Sequence, residues 1–294
     1  MWIYLNNRFV AEREALVPVF DQGFLYGDGL FETLRAYKGK IFLLSEHLRR
    51  LQQGAKKLDI VIPRVEHLEQ CLYETLSRNA LCNAMIRITI TRGIHRWGEV
   101  KNRDAPPTLV IFARQFNGHP EKLYKNGIAA CIATTRRNAK TAQDPAIKSI
   151  SFLNNVLAKR EATALSAQEA ILLNPDGFLA EGSVSNLFWV CAGTLYTPGK
   201  SVGILEGVTR GVVLKLAKKE KISVAEGFYR KSVLYKSDEA FLTNVGFDLV
   251  PLTRVDQKKI GTGKPGPITI QLRSLFQRLR DRLSVGQKAR FIKL

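Results

Sequence analysis

The stretch "GFLYGDGLFETLRAY", residues 23–37, carries three glycines within seven positions and then turns strand-like. Glycine-rich turns bind phosphate when they open a helix. This one does not fit the dinucleotide fingerprint. Three residues after Gly29 stands Glu32, where glycine is required, and the turn leads into a strand. A Walker A sequence is also absent. The chemical content lies in the strand itself. Alternate side chains of a strand face opposite ways, so Leu30, Glu32, Leu34 and Ala36 share one face and Phe31, Thr33, Arg35 and Tyr37 the other. An aromatic ring, a hydroxyl, a guanidinium and a phenol together suit a polar ligand. They equally suit the solvent side of an antiparallel sheet, and periodicity does not choose between the two.

Other chemistries find little to build on. Cys71, Cys82, Cys131 and Cys191 are scattered without ligand spacing, so small core residues are expected rather than a zinc site or a disulfide framework. His47, His67, His95 and His119 form no metal-binding pair. The N-terminal "MWIYLNNRFVAERE" has neither a basic leader nor a long apolar run. No apolar run reaches the roughly 18 residues of a membrane span. A cytoplasmic protein without a membrane partner is expected. The net charge is +19, with six Lys/Arg against one Asp in residues 278–294. Elsewhere the charge is spread along the chain, without aromatic interleaving. That favours attraction of anionic metabolites over specific nucleic-acid binding.

The elements that must position these residues read as α+β. Residues 1–10, 30–37 and 40–44 read as strands. Ser45 reads as the N-cap of a helix carrying Leu48, Leu51, Ala55 and Leu58 at helical spacing, and a second helix covers 65–79. "AMIRITIT" alternates strictly, and "TLVIFAR" reads as a buried strand. These elements form a small domain, 1–115. "QFNGHPEKLYKNG" is expected to link it, over 116–127, to a larger strand-rich domain, 128–294, with helices near 153–165, 208–220 and 268–283.

Four stretches occur in order: "FDQGFLYGDGLFETLRAY", "IKSISFLNNVLAKRE", "GFLAEGSVSNLFW" and "GILEGVTRG". Together they resemble the class IV aminotransferase family, enzymes of pyridoxal 5'-phosphate (PLP) fold type IV. That family includes branched-chain aminotransferases, D-amino-acid aminotransferases and aminodeoxychorismate lyases. The resemblance implies two α+β domains with PLP between them, in a homodimer. It implies that Lys148 carries the cofactor and moves protons at the substrate carbon. Composition alone does not separate Lys148 from Lys140 or Lys159. Glu181 matches the carboxylate that keeps the pyridine nitrogen protonated. Arg50 matches the phosphate-binding arginine, with Arg49 left to solvent. Val208 and Thr209 fall at a helix N-terminus that favours an anion, where Thr209 also suits an N-cap. Asn244 and Val245 match a further cofactor contact, with no hydroxyl at Val245. Phe152 stands where the family often has a tyrosine bonded to the cofactor's phenolic oxygen. Phe31, Arg35, Tyr26, Arg87 and Arg96 are implied around an amino-acid-like anionic substrate.

The family divides after a common carbanion step. Transaminases return the proton to the cofactor and release an oxo acid. The lyase expels pyruvate from aminodeoxychorismate and leaves 4-aminobenzoate, a folate precursor. Thr33, where branched-chain aminotransferases have glycine, and the "TN" of Thr243 and Asn244 favour the lyase, with Thr33 joining Lys148 as a catalytic residue. "GTGKPGPIT", residues 261–269, favours a branched-chain or D-amino-acid aminotransferase acting with 2-oxoglutarate. The balance tips slightly to the lyase. A basic, non-catalytic binder that kept the fold is the alternative of another class, against which the matches at Lys148, Glu181 and Arg50 argue.

Overall fold

The computed structural model describes residues 1–95 and 106–285. It divides into two compact units. The first is built on Met1–Asn117 and Ile147–Phe152, the second on Gly118–Ala146 and Leu153–Arg280. The division is therefore not a simple cut of the chain. Residues 147–152, expected within the large domain, return to the first unit.

The first unit holds β1 (Trp2–Leu5), β2 (Arg8–Ala11), α1 (Gln22–Tyr26), β3 (Gly29–Tyr37), β4 (Lys40–Ile41), α2 (Leu44–Leu58), α3 (Val65–Arg78), β5 (Ala84–Thr91) and β6 (Thr108–Gln115). Its six strands form one antiparallel sheet in the order β2-β1-β6-β5-β3-β4. The opening glycines frame a single helical turn. Asp21 caps α1 by accepting from Gly23 N, and Gly27 ends it in the left-handed region at φ 69°. Gly29 then enters the sheet so closely that a Cβ would lie 2.6 Å from the Ile90 carbonyl oxygen. Helix α2 starts at Leu44 with Leu43 at its N-cap and no side-chain cap, so Ser45 does not cap it.

The alternation in β3 and β5 works as the pattern requires. Leu30 and Leu34 lie opposite Ile90 and Ile86, and all four pack into a core with Leu48 and Leu51 of α2 and Leu68 and Leu72 of α3. Glu32 lies on that same apolar face and is 0% exposed. A carboxylate buried there must be paired. Both partners come from α2, one helical turn apart. Arg50 Nε donates to Glu32 Oε1 at 2.6 Å and Arg50 Nη2 to Oε2 at 2.7 Å, while His47 Nδ1 lies 2.8 Å from Oε2. Burial pushes the Glu32 pKa up, but the Arg50 charge and the His47 contact outweigh it and hold the carboxyl at about 2.

The second unit holds α4 (Glu121–Asn126), β7 (Ile128–Ile132), α5 (Leu153–Ala164), β8 (Glu169–Leu173), β9 (Leu179–Gly182), β10 (Asn186–Cys191), β11 (Thr194–Pro198), α6 (Val208–Lys219), β12 (Val224–Gly227), β13 (Glu239–Asn244), β14 (Asp248–Val255), β15 (Lys258–Lys259) and α7 (Pro267–Ser284). The sheet runs β12-β11-β10-β13-β14-β7-β8-β9, with β15 added on β14. One sheet face packs Leu187, Trp189, Leu242, Val250 and Leu252 into a core. Ala158 and Ala162 of α5 pack on Cys131 and Leu172. The expected linker, 116–127, contains α4, which the Tyr124 hydroxyl fastens by donating to Phe247 O at 3.1 Å. Cys71 and Cys131 are buried as expected of core residues, whereas Cys82 and Cys191 are exposed. Among the described residues no helix is long and apolar enough to cross a membrane.

Glu32→Gln leaves the Arg50 charge without its buried partner and is expected to cost about 3–5 kcal/mol in denaturant unfolding. Because the folded pKa of Glu32 is depressed from 4.5 to about 2, its contribution is present above the unfolded value and is lost as pH falls through the folded one. The stability gap between wild type and variant therefore closes over that acid range. An unchanged midpoint in the variant at neutral pH would show that the pair contributes nothing.

Candidate active site

In the first unit, the sequence order of the strands leaves an edge open. β4 covers β3 only at Ala36 and Tyr37, and unpaired backbone groups at a sheet edge seek a partner. Residues 147–150 supply it. Phe31 N donates to Lys148 O at 3.0 Å, Ile150 N donates to Gly29 O at 3.0 Å, and Leu30 bridges Ser149. Lys148 is thereby fastened beside Phe31, with its Nζ 4.4 Å from the ring centroid. The Arg87 guanidinium meets the same ring at 3.8 Å, and Phe152 packs edge-on against it at 5.7 Å. Burial pulls the Arg87 pKa down from its ordinary value, and its Nε donates to Thr89 Oγ1 at 3.2 Å. Thr33, half-buried, lies directly opposite Arg87 in the β3–β5 register. The face that periodicity left open is thus an aromatic wall with two cations on one ring.

The remaining first-unit candidates are placed differently. Arg50 is anchored by Glu32, which fixes its guanidinium plane, and Arg49 is exposed. Arg35 is 5% exposed, its guanidinium over Tyr37 and Phe116. It stands four residues along the strand from Phe31, roughly 13 Å away. Tyr26 is 61% exposed at the end of α1. Arg96 lies outside the described residues.

In the second unit the site grows around a buried carboxylate on β9. Glu181 Oε1 accepts from Arg137 Nε at 2.7 Å; Oε2 accepts from Leu205 N at 3.0 Å and Asn186 Nδ2 at 3.2 Å. Asn186 also donates to Leu205 O at 2.9 Å. The loop from Leu205 runs directly into α6, whose N-cap is Gly207 and carries no side-chain cap. Val208 and Thr209 are therefore the first two helical residues, and Thr209 is not the N-cap. Gly207 passes so close to Asn186 Oδ1 that any Cβ would collide with it. Asn244 is occupied in its own turn: Oδ1 accepts from Gly246 N at 2.8 Å and Phe247 N at 2.7 Å, and Nδ2 donates to Val184 O at 3.2 Å. Val245, half-buried in the turn, has only backbone to offer.

Several of these residues escaped sequence reading. Glu32 carried a signal, a carboxylate on an apolar strand face, and His47 and Arg50 a matching one, spaced three apart on the facing helix. Arg137 and Asn186 carried none, because their partners are distant in sequence.

The second-unit donor set fits a pyridine ring that bears a phosphate. A buried carboxylate can accept from a ring N–H. The short loop at 205–207 leads from it to a helix N-terminus that no side chain caps and that favours an anion. Comparison with known proteins agrees. The family model of amino-transferase class IV matches residues 29–255. A putative branched-chain-amino-acid aminotransferase of Methanocaldococcus jannaschii is 41% identical over 286 residues, covering 97% of this chain and 98% of that protein. The aminodeoxychorismate lyase of Bacillus subtilis is 36% identical over 279 residues, covering 94% of each. The crystal structure of Escherichia coli branched-chain amino acid aminotransferase superposes with a TM-score of 0.92 at 28% identity, covering 99% of this chain and 97% of that one. A branched-chain amino acid aminotransferase solved with pyridoxamine 5'-phosphate superposes equally well, with a TM-score of 0.92 at 30% identity, covering 99% of this chain and 96% of that one. The chain belongs to the class IV amino-transferase family and is an enzyme of it.

Proposed function

We propose that this enzyme uses PLP to move the amino group of an α-amino acid with an apolar side chain, the branched-chain amino acids being the leading substrates. The observation that carries this reading is the cluster on Phe31. An amine, Lys148, and a guanidinium, Arg87, share one aromatic ring, with a second ring, Phe152, beside them. That arrangement suits a substrate presenting a carboxylate next to an apolar body. The 41% identical relative supports the transaminase branch, against the slight preference drawn from Thr33.

Bound PLP supplies an electron-withdrawing ring that stabilises negative charge at the substrate carbon. Lys148 would take the proton from that carbon and deliver it on the cofactor side, not back to the substrate carbon, so that an oxo acid is released. It is held for this by its own backbone bond to β3. Arg87 orients the substrate carboxylate. Glu181 would keep positive charge at the ring nitrogen, and Arg137, Asn186 and Leu205 N hold Glu181 in its orientation. The first turn of α6, with Val208 and Thr209, would hold the phosphate, and the Arg50 guanidinium is the first-unit candidate for the same role. The lyase remains a second reading because of Thr33. Its hydroxyl, opposite Arg87, suits a proton donor to a departing oxygen.

A homodimer accompanies this reading. Leu16, Val19, Phe20, Phe24 and Tyr26 are all more than half exposed within one short segment. An apolar strip of this kind marks an interface, and a second copy covers it.

Purified protein given PLP is expected to turn yellow and to form glutamate from L-valine or L-leucine with 2-oxoglutarate. Pyruvate release from aminodeoxychorismate, without glutamate formation, would transfer the assignment to the lyase. A protein that PLP cannot colour would remove both. Sedimentation is expected to show a dimer that Phe24→Asp weakens; a wild-type monomer would contradict the interface.

A further inference from the structure

Gly27 ends α1 in the left-handed region, and a side chain there would not point into open space. A Cβ at Gly27 would lie 3.2 Å from both Cα and Cβ of Ser151, inside the roughly 3.5–4.0 Å that suits two carbons. Two residues further on, a Cβ at Gly29 would lie 2.8 Å from Ile150 Cδ1. The segment that carries Lys148 therefore lies closer to the opening turn than side chains at 27 and 29 would permit.

The two sides of this contact are not held equally. The turn is fastened to β5. Thr91 Oγ1 donates to Asp21 Oδ2 at 2.8 Å, Arg92 N donates to Asp28 O at 3.1 Å, and Arg92 Nε donates to Asp28 Oδ2 at 2.5 Å. The same guanidinium donates to Leu58 O and Asp59 O at the end of α2. The lysine segment is tied to β3 through Phe31 and Gly29. Past Ile150, Ser151 is exposed, and its N donates to Ser149 Oγ within the segment itself. Any crowding at Gly27 is thus taken up by Ser151, three residues from Lys148.

We propose that Gly27 is a positioning residue for Lys148. The end of α1 is the stop against which Ser151 rests, and it sets where residues 147–151 lie along β3 and where the amine stands over Phe31. This rests on the reading above that Lys148 carries the cofactor. It gives Gly27 a task beyond ending a helix.

Gly39 supplies the control. It is also left-handed, at φ 78°, but a Cβ there would meet nothing within 4 Å among the described residues. Gly39→Ala carries backbone strain alone, whereas Gly27→Ala adds the contact with Ser151. The full chain without cofactor, as wild type, Gly27→Ala, Gly39→Ala and Ser151→Gly, is mixed with PLP and reduced with borohydride at timed intervals. Pyridoxyl phosphate on Lys148 is followed by peptide mass mapping, and melting is measured in parallel. Gly27→Ala is expected to load Lys148 about tenfold more slowly than wild type. Gly39→Ala should load at the wild-type rate despite a lower melting point. Ser151→Gly removes the resting side chain without straining the turn, and should load about threefold more slowly; it decides the matter if Gly27→Ala does not fold. Equal loading by Gly27→Ala and Gly39→Ala overturns the proposal alone, as does wild-type loading by Ser151→Gly. A wild type that PLP does not label at Lys148 overturns the assignment of that lysine and this proposal with it.

Discussion

The hydrogen bond from Phe31 N to the Lys148 carbonyl decides where Lys148 sits in the first unit. A flexible lysine on a loop has many places to go. Pairing residues 147–150 along the open edge of β3 removes most of them. β3 can do this because its two faces have separate tasks. Leu30, Leu34 and Ala36 enter the core with α2 and α3, while Phe31 presents its ring to Lys148 and Arg87. Glu32 belongs to the core face and is paired there. Its bidentate pair with Arg50 locks α2 onto the strand and sets the direction of that guanidinium.

In the second unit one amide has a comparable part. Asn186 donates to both Glu181 and the Leu205 carbonyl, so a buried carboxylate and the loop that begins α6 are held by the same side chain. Hydrogen bonds to a charged group contribute about 1.5–3 kcal/mol each, and Glu181 receives three from Arg137, Asn186 and Leu205. The carboxylate is thereby preorganised before any ligand arrives. Gly207 suits this arrangement, because a Cβ there would push the Asn186 amide from its place.

Much of this was legible in the sequence where the signal was local. The alternation of β3 and β5 marked their inner faces, and α3 and α5 to α7 begin and end close to where their apolar spacing places them. β14 was not legible. Pro251 interrupts its pattern, and proline argues against a central strand, yet Pro251 pairs opposite Phe241 inside the sheet. Glu32 was read only as one of four residues on a face, since a strand pattern does not say which helix residues will meet it. Lys148 could be distinguished from Lys140 and Lys159 only by resemblance. The structure separates them physically: Lys140 is exposed, Lys159 donates to the Gln168 carbonyl, and Lys148 lies over an aromatic ring.

The account stands on Lys148 being the residue that carries the cofactor. Borohydride reduction of the PLP-loaded protein, followed by proteolysis and peptide mass mapping, tests this directly. The account predicts a single pyridoxyl-phosphate group fixed on Lys148. Its recovery on Lys140, Lys159 or any other lysine, with Lys148 unmodified, would contradict it.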